Sequence, residues 1–381
     1  MSPKRGLATV VVLFALGAAA APSFASQINT GEDGGTYQAR FCPELAKNLA
    51  RAELAYACAP SAGTAANVER TAANPAEMGY GQLDLYARDI AKRGEPGALV
   101  QVRTDDVRLC LFAVTRRPDL QTFGELSAVA PELKIILPPE GSDSAGTFQV
   151  LSEIDGTGLG KAGSIQHAAS TEAAIRQALS EDNAVAFFVS FPDPASAPFK
   201  AVDEAEGHYV PIIDREILRQ TKDGQKLYFA QETQVSNATW LEGARKVVTA
   251  CTPMVLFTGS PEKLTDSKAR SDHEDLIATV RALRSDALLP QDGAFARVLA
   301  RTKELSATSA EKLIKASEQA RENAKPYLER AKEATDKALD AAKPALERAK
   351  EYGRKVYEKG REELKELMEP STDKPAEQPK Q

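Results

Sequence analysis

Three short stretches combine glycine with hydroxyl and amide side chains in the way that lets a backbone hold a small polar molecule. "TGEDGGTYQARFC" begins at Thr30, "SAGTAANVER" at Ser61 and "PPEGSDSAGTFQ" at Pro138. Each places small residues ahead of a helix-like run, where unpaired backbone N–H groups and hydroxyls face whatever lies above them. Between the second and third, "EMGYGQLDLYA" reads as a strand with Gln82 and Asp84 at its polar end. The chemistry on offer is recognition: donors and acceptors that replace a solute's hydration shell. A nucleophile flanked by a base, or a metal-ligand cluster, is not apparent. His167, His208 and His273 sit in unrelated contexts, and no His/Cys/Asp spacing suits zinc.

These turns must be positioned by the elements around them. From Gln27 onward, short apolar runs alternate with helical ones. "QINT" precedes a helix from Tyr37 to about Arg51, and "AELAYACAP" precedes a helix expected to open near Asn67. "RLCLFAVTRR" and "ELKIILPPEG" are further strands, with a helix N-terminus expected at Thr147. "SIQHA", the helix "STEAAIRQALSED", "AVAFFVSF", "HYVPIID" and "KVVTACTPMVLFTG" follow, and then the helix "SDHEDLIATVRALRSD". That order predicts an α/β fold with a largely parallel sheet. Ligands of such sheets bind outside the carboxyl ends of the strands, where the glycine and hydroxyl turns would converge.

At these spacings, "TGEDGGTYQ", "SAGTAANVERTAANPAEMGYGQLD" and "LPPEGSDSAGT" resemble the TAXI group of TRAP-transporter solute-binding proteins. The resemblance runs from about Gln27 to Leu283 and is closest in its first half. It implies a two-lobed type II periplasmic-binding-protein fold, closing on a small polar solute such as an amino acid or carboxylate, with delivery to a membrane permease. It implies no enzymatic activity and no cofactor. Carried over by motif, Thr36 and Tyr37 close the first turn, and Ser61, Thr64 and Asn67 form the second. Gln82 and Asp84 end the next strand, while Ser144, Gly146 and Thr147 form the turn of the second lobe. Lobe I would comprise 27–115 and 240–299, and lobe II 116–239. Glu32, Asp33 and Asp143 depart from the pattern. Three carboxylates near one pocket would repel a simple anion and favour a zwitterion or a solute with a cationic end, unless they face solvent at the rim.

The ends of the chain differ from this body. Residues 1–25 read as a secretory leader: Lys4 and Arg5, the apolar run "LATVVVLFALGAAAA", and "SFA" before cleavage after Ala25. Export to the periplasm puts the four cysteines in an oxidising compartment. If the strand of Cys58 runs parallel to the one before the helix of Cys42, their sulfurs lie at one end of the sheet. Cys110 and Cys251 are both in strand-like runs. Cys42–Cys58 and Cys110–Cys251 are therefore the expected pairs, against four buried free thiols.

From about residue 300, Ala, Glu, Lys and Arg dominate, with an apolar stripe repeating about every 3.6 residues. "AKPYLERAKE" at Ala324 recurs as "AKPALERAKE" at Ala342. Pro326 and Pro344 should each kink or break the pattern, so 300–368 is expected to be two or three amphipathic helical segments, before a disordered tail over 369–381. These helices could dock on the lobes, on a partner or on a membrane surface, with Tyr327, Tyr352 and Tyr357 the residues suited to insert. The net charge of −6 gives no basic footprint for nucleic acid. "GLGKAG" at Gly158 fits GxGxxG but follows a helix, which argues against a dinucleotide loop. "NAT" at Asn237 matches a glycosylation acceptor, and Trp240 is expected near a lobe hinge.

Overall fold

The computed structural model describes residues 26–95, 97–238 and 243–368. The leader 1–25, Thr239 of the "NAT" triplet, Trp240 and the tail 369–381 lie outside the described residues.

The first half alternates as expected. β1 (Ser26–Asn29) leads through the glycine turn to a π-helical turn over Tyr37–Phe41, which runs directly into α1 (Cys42–Arg51). β2 (Tyr56–Ala59), α2 (Thr64–Ala73), β3 (Met78–Gln82) and α3 (Leu83–Arg93) follow. β4 spans Leu99–Thr115 and is 17 residues long. Its first half was not legible because Arg103, Asp105, Asp106 and Arg108 interrupt the apolar alternation. Asp105 is nonetheless 4 % exposed and is paired with Arg103 at 2.7 Å. Beyond it come α4 (Phe123–Val129), β5 (Lys134–Leu137), α5 (Asp143–Ile154), β6 (Ser164–His167), α6 (Thr171–Ala178) and β7 (Ala184–Ser190). α7 (Ala197–Glu204), β8 (His208–Val210) and α8 (Arg215–Leu218) precede a small hairpin of β9 (Thr221–Lys222) and β10 (Gln225–Lys226). β11 (Phe229–Gln234) and β12 (Lys246–Gly259) then return the chain, and α9 (Ser267–Ala282), α10 (Gly293–Arg301), β13 (Lys303–Glu304) and α11 (Ala307–Met368) complete it.

Apart from the β9–β10 hairpin, the strands form one sheet in the order β2-β1-β3-β12-β4-β7-β5-β6, with β11 and β8 attached beside β12 and β4; it is mixed rather than largely parallel, because β4 and β12 run antiparallel to their neighbours. Two similar halves are visible in it. In the first, β1 lies parallel between β2 and β3, and β12 runs antiparallel to β3. In the second, β5 lies parallel between β6 and β7, and β4 runs antiparallel to β7. β4 and β12 pair with each other and serve both halves, so they are the two strands along which the chain passes between lobes. This is the two-lobed α/β architecture of the type II periplasmic-binding-protein fold. One core lies around Phe41, Tyr80 and Phe295 and another around Phe112, Phe188 and Phe199, while a third runs through both lobes and joins Tyr86 and Phe257 to Phe123, Phe148 and Phe187.

Two disulfides are present, in the expected pairing. Cys42–Cys58 fastens the start of α1 to β2. Cys110–Cys251 joins directly opposed residues of β4 and β12, where β4 also begins its pairing with β7. The register of β4 against β12 shifts just beside it, between Pro253 and Met254, so a bulge and a covalent tie meet at the crossing between lobes.

The C-terminal region corrects the expectation of broken segments. It is one helix of 62 residues with Pro326 and Pro344 inside it, and β13 precedes it where no strand was expected. At 1.5 Å per residue it is about 90 Å long. Its first turns pack on the second lobe: Ile314 is buried with Ile213 and Ala230, and Ser317 accepts a hydrogen bond from the Gly124 N–H at 2.8 Å. A side chain at Gly124 would collide with the Ser317 carbonyl, so glycine is what admits the helix there. Arg215 holds Glu311 and Glu318, and Arg321 reaches Asp155 and Asp214. Past Ala324 every side chain described is exposed, Tyr352 at 72 %. No helix among the described residues is long and apolar enough to cross a membrane.

Candidate functional site

The crevice between the lobes is where the carboxyl ends of β1, β3 and β7 meet the helices that follow them. The local reason is the same at each turn: a strand ends and a small residue frees the chain to start a helix. α2 begins at Thr64, and Gly63 before it adopts φ of 144°, a conformation suited to glycine. α5 begins at Asp143 under a Ser142 cap, and α6 at Thr171 under a Ser170 cap. Both α2 and α5 therefore start earlier than the sequence suggested, since Asn67 and Thr147 are already within the helices. Asp84 also moves, because β3 stops at Gln82 and Asp84 lies in the first turn of α3.

Through the middle of the crevice the lobes touch directly. The Asp143 carboxylate of the second lobe accepts the Thr64 backbone N–H of the first at 2.6 Å. The space comes from Gly63, where any Cβ would run into that carboxylate. The Thr147 hydroxyl lies 3.0 Å from both Gln82 Oε1 and Asp84 Oδ2, and the Tyr228 hydroxyl donates to Asp84 at 2.8 Å. Arg88 donates to the Gly146 carbonyl at 3.0 Å. Burial raises the Asp84 carboxyl above its ordinary range, against the hydrogen bonds from Tyr228 and Thr147 that hold it down.

This seam divides two open spaces. On one side Arg88, Asp89, Glu140 and His167 border a chamber that also meets Asp143. On the other is a cavity of about 380 Å³ walled by both lobes, the size of a small-solute site. The glycine turn supplies Glu32, Asp33, Thr36 and Tyr37; the second lobe supplies Asp143, Ser144, Glu172, Ser190 and Phe191. The wall thus holds four carboxylates and neither lysine nor arginine. Glu32, Asp33 and Glu172 form no ion pair among the described residues. Glu32 is exposed at the cavity's mouth, yet the protein around its carboxyl thins the water there and raises it, and the charge of Glu172 adds to the effect. Asp143 is pushed up to about 6, chiefly by burial, with Asp84 and Glu32 contributing and Thr64's hydrogen bonding opposing.

An aromatic side completes the cavity. Tyr37 stacks on Tyr80 with centroids 5.5 Å apart, and Phe191 stacks on Phe295 at 4.7 Å. Tyr37 is 7 % exposed, and its hydroxyl has no hydrogen-bond partner among the described residues. The π-helical turn that begins at Tyr37 is a local irregularity of the kind that often marks a functional position.

Of the residues singled out from sequence, Thr36, Tyr37, Gln82 and Ser144 line this cavity. Ser144 also binds the Val189 N–H at 3.0 Å. Thr64, Asp84, Gly146 and Thr147 lie in or beside the seam. Asn67 is buried behind it, its amide held by the carbonyls of Thr30 and of Tyr80, the latter at 2.8 Å. Ser61 turns to the Thr30 carbonyl at 3.3 Å. Glu172, Ser190 and Phe191 were missed. Glu172 carried a usable signal, since "SIQHAASTEAA" repeats the strand–serine–helix arrangement of the other turns. "GLGKAG" holds a short 3-10 turn after α5 rather than a loop over a ligand.

No family model matches the chain, and no curated protein matches it. Solved structures do. A protein described as a periplasmic transporter matches at 12% identity over 81% of this chain and 97% of its own, with a TM-score of 0.41. R. palustris Rpa4515 with adipate matches at 14% identity over 80% and 98%, with a TM-score of 0.39. PhnD1 from Prochlorococcus marinus, in complex with methylphosphonate, matches at 10% identity over 76% and 95%, with a TM-score of 0.44. Their ligands belong to those proteins, and the site here is judged on its own residues.

Proposed function

We propose that this chain is an extracytoplasmic solute-binding protein, a non-enzymatic receptor that captures a small polar solute, an amino acid or carboxylate, between its lobes. The observation that carries this reading is the cavity of about 380 Å³ at the carboxyl ends of β1, β3 and β7, walled by both lobes. β4 and β12 are the natural hinge, since they alone of the long strands pair in both lobes. Periplasmic location is supported by two disulfides, which persist in oxidising compartments. Delivery to a TRAP-type permease rests on the resemblance of the three turns. The test is thermal unfolding of the mature chain against a panel of amino acids, amines and dicarboxylates at millimolar concentration. Saturation a hundredfold above Kd stabilises by about 2.7 kcal/mol, so a real ligand should raise Tm visibly. Silence from every class would overturn the reading.

A second reading follows from α11. A helix that continues well beyond its docked first turns, with all described side chains exposed, suits capture of a protein partner or a membrane surface. Removing 325–381 separates the two roles: solute binding should survive, and retention on partner or vesicles should fail.

A further inference from the structure

The contact that crosses the crevice is itself a built feature. A helix N-terminus favours an anion, because its first N–H groups lack partners within the helix and its dipole attracts negative charge. At α2 that anion is the protein's own. The Asp143 carboxylate, from the first turn of α5 in the other lobe, takes the Thr64 N–H at 2.6 Å. A glycine stands on each side where the lobes come closest. A Cβ on Gly63 would run into the Asp143 carboxylate, and one on Gly146 would press on the buried Leu85 side chain of α3. Beside them the Thr147 hydroxyl meets Gln82 and Asp84, each at 3.0 Å. Arg88 donates to the Gly146 carbonyl at 3.0 Å and to Gln149 Oε1 at 2.7 Å. Shape and hydrogen bonding thus match across the lobes as they do inside a protein.

We propose that Asp143 is a latch: its carboxylate holds the second lobe to the first through α2, so that closed lobes are the resting arrangement of this chain. This goes beyond solute capture and holds whether or not a solute binds. The Thr64 N–H is fixed by α2, so the Asp143 contact cannot follow if the lobes part, whereas long side chains such as Arg88 and Gln149 can reach some way. A hydrogen bond onto a carboxylate is also stronger than one between neutral groups. A ligand shifts a two-state equilibrium only by the difference in its affinity for the two states. With the closing contact made by Asp143, a solute does not have to draw the lobes together, and its contacts go to affinity alone.

Double electron–electron resonance on the mature chain tests this, with nitroxides at Lys92→Cys in α3 and Glu153→Cys in α5, both exposed. The four native cysteines are tied in two disulfides, so the labels go only to the introduced pair. After dialysis and with no solute added, the parent should give one narrow distance distribution. Asp143→Ala should move it outward by more than about 2 Å, and Asp143→Asn, which keeps an acceptor oxygen, should leave it in place. Equal distances in the parent and in Asp143→Ala would overturn the latch, whether both are short or both long. An Asp143→Asn chain as open as the alanine variant would overturn it as well. None of these results bears on the thermal-unfolding panel, so solute capture and the latch can fail separately.

Discussion

The seam and the cavity are neighbours built from the same polar residue types, and they use them in opposite ways. In the seam, Thr147, Asp84 and Tyr228 form a buried chain of hydrogen bonds, and Asp143 closes on Thr64. In the cavity, Glu32, Asp33 and Glu172 line the wall with no ion-pair partner among the described residues. A polar residue at the end of a strand is therefore not yet a ligand-binding residue. Its hydrogen bonds must first be accounted for, and those already spent belong to the protein. The seam should carry stability, and the cavity should carry affinity.

The sharpest way to break that division is Asp84→Ala. Asp84 is 1 % exposed, and its loss would strip the Tyr228 hydroxyl of its acceptor and the Thr147 hydroxyl of one of two. An orphaned buried group costs about 1–3 kcal/mol, and Thr147 keeps Gln82, so the variant should lose about 2–3 kcal/mol of stability in denaturant unfolding. A loss below about 1 kcal/mol would mean that the seam is decorative.

Asp143 belongs to both regions, and pH separates its two roles. Its carboxyl rises from 3.8 to about 6 in the folded chain. Between those values the native state holds more proton than the unfolded state, so this group's contribution makes stability fall as pH rises through the window. Asp143→Asn keeps an oxygen for the Thr64 N–H and loses the buried charge. It should therefore be more stable than wild type at pH 7.5 by about 2 kcal/mol, with the gap closing below about pH 4. Thermal scans at both pH values check this, and a gap that widens in acid would reverse the sign.

Much of the fold was legible because local pattern and global architecture agree. The strand–turn–helix alternation from β1 to α6 was visible in apolar runs punctuated by glycine and serine. The disulfides followed from which elements the cysteines occupy, Cys42 opening a helix and the other three lying in strands. The site was legible in place more than in detail. Tyr37, Thr36, Gln82 and Ser144 reach the cavity, but Thr147 and Asp84 do not line it, since a contact between lobes leaves no trace in local sequence. The first half of β4 was hidden by its charges, which pair in the tertiary structure, as Arg103 does with Asp105. α11 runs through Pro326 and Pro344 although each costs about 3 kcal/mol in a helix interior. The flanking Ala, Glu, Lys and Arg are among the strongest helix formers, and many such residues in sequence offset two breaks.

The smallest expected effect tests the other half of the comparison. Glu32→Gln and Glu172→Gln remove carboxylates that hold no side-chain hydrogen bond or ion pair among the described residues, so no described group is orphaned by their loss. Glu32 is exposed at the cavity's mouth, and the charge of Glu172 raises its carboxyl. Neutralising either one relieves repulsion and removes no support. Urea unfolding should place each variant within about 0.5 kcal/mol of wild type, on the stabilised side if either moves. A destabilisation of 1 kcal/mol or more would make these acids part of the scaffold, and the distinction between a seam that holds and a cavity that waits would be lost. The stabilised sign is the signature of carboxylates that repel one another and hold up no part of the fold.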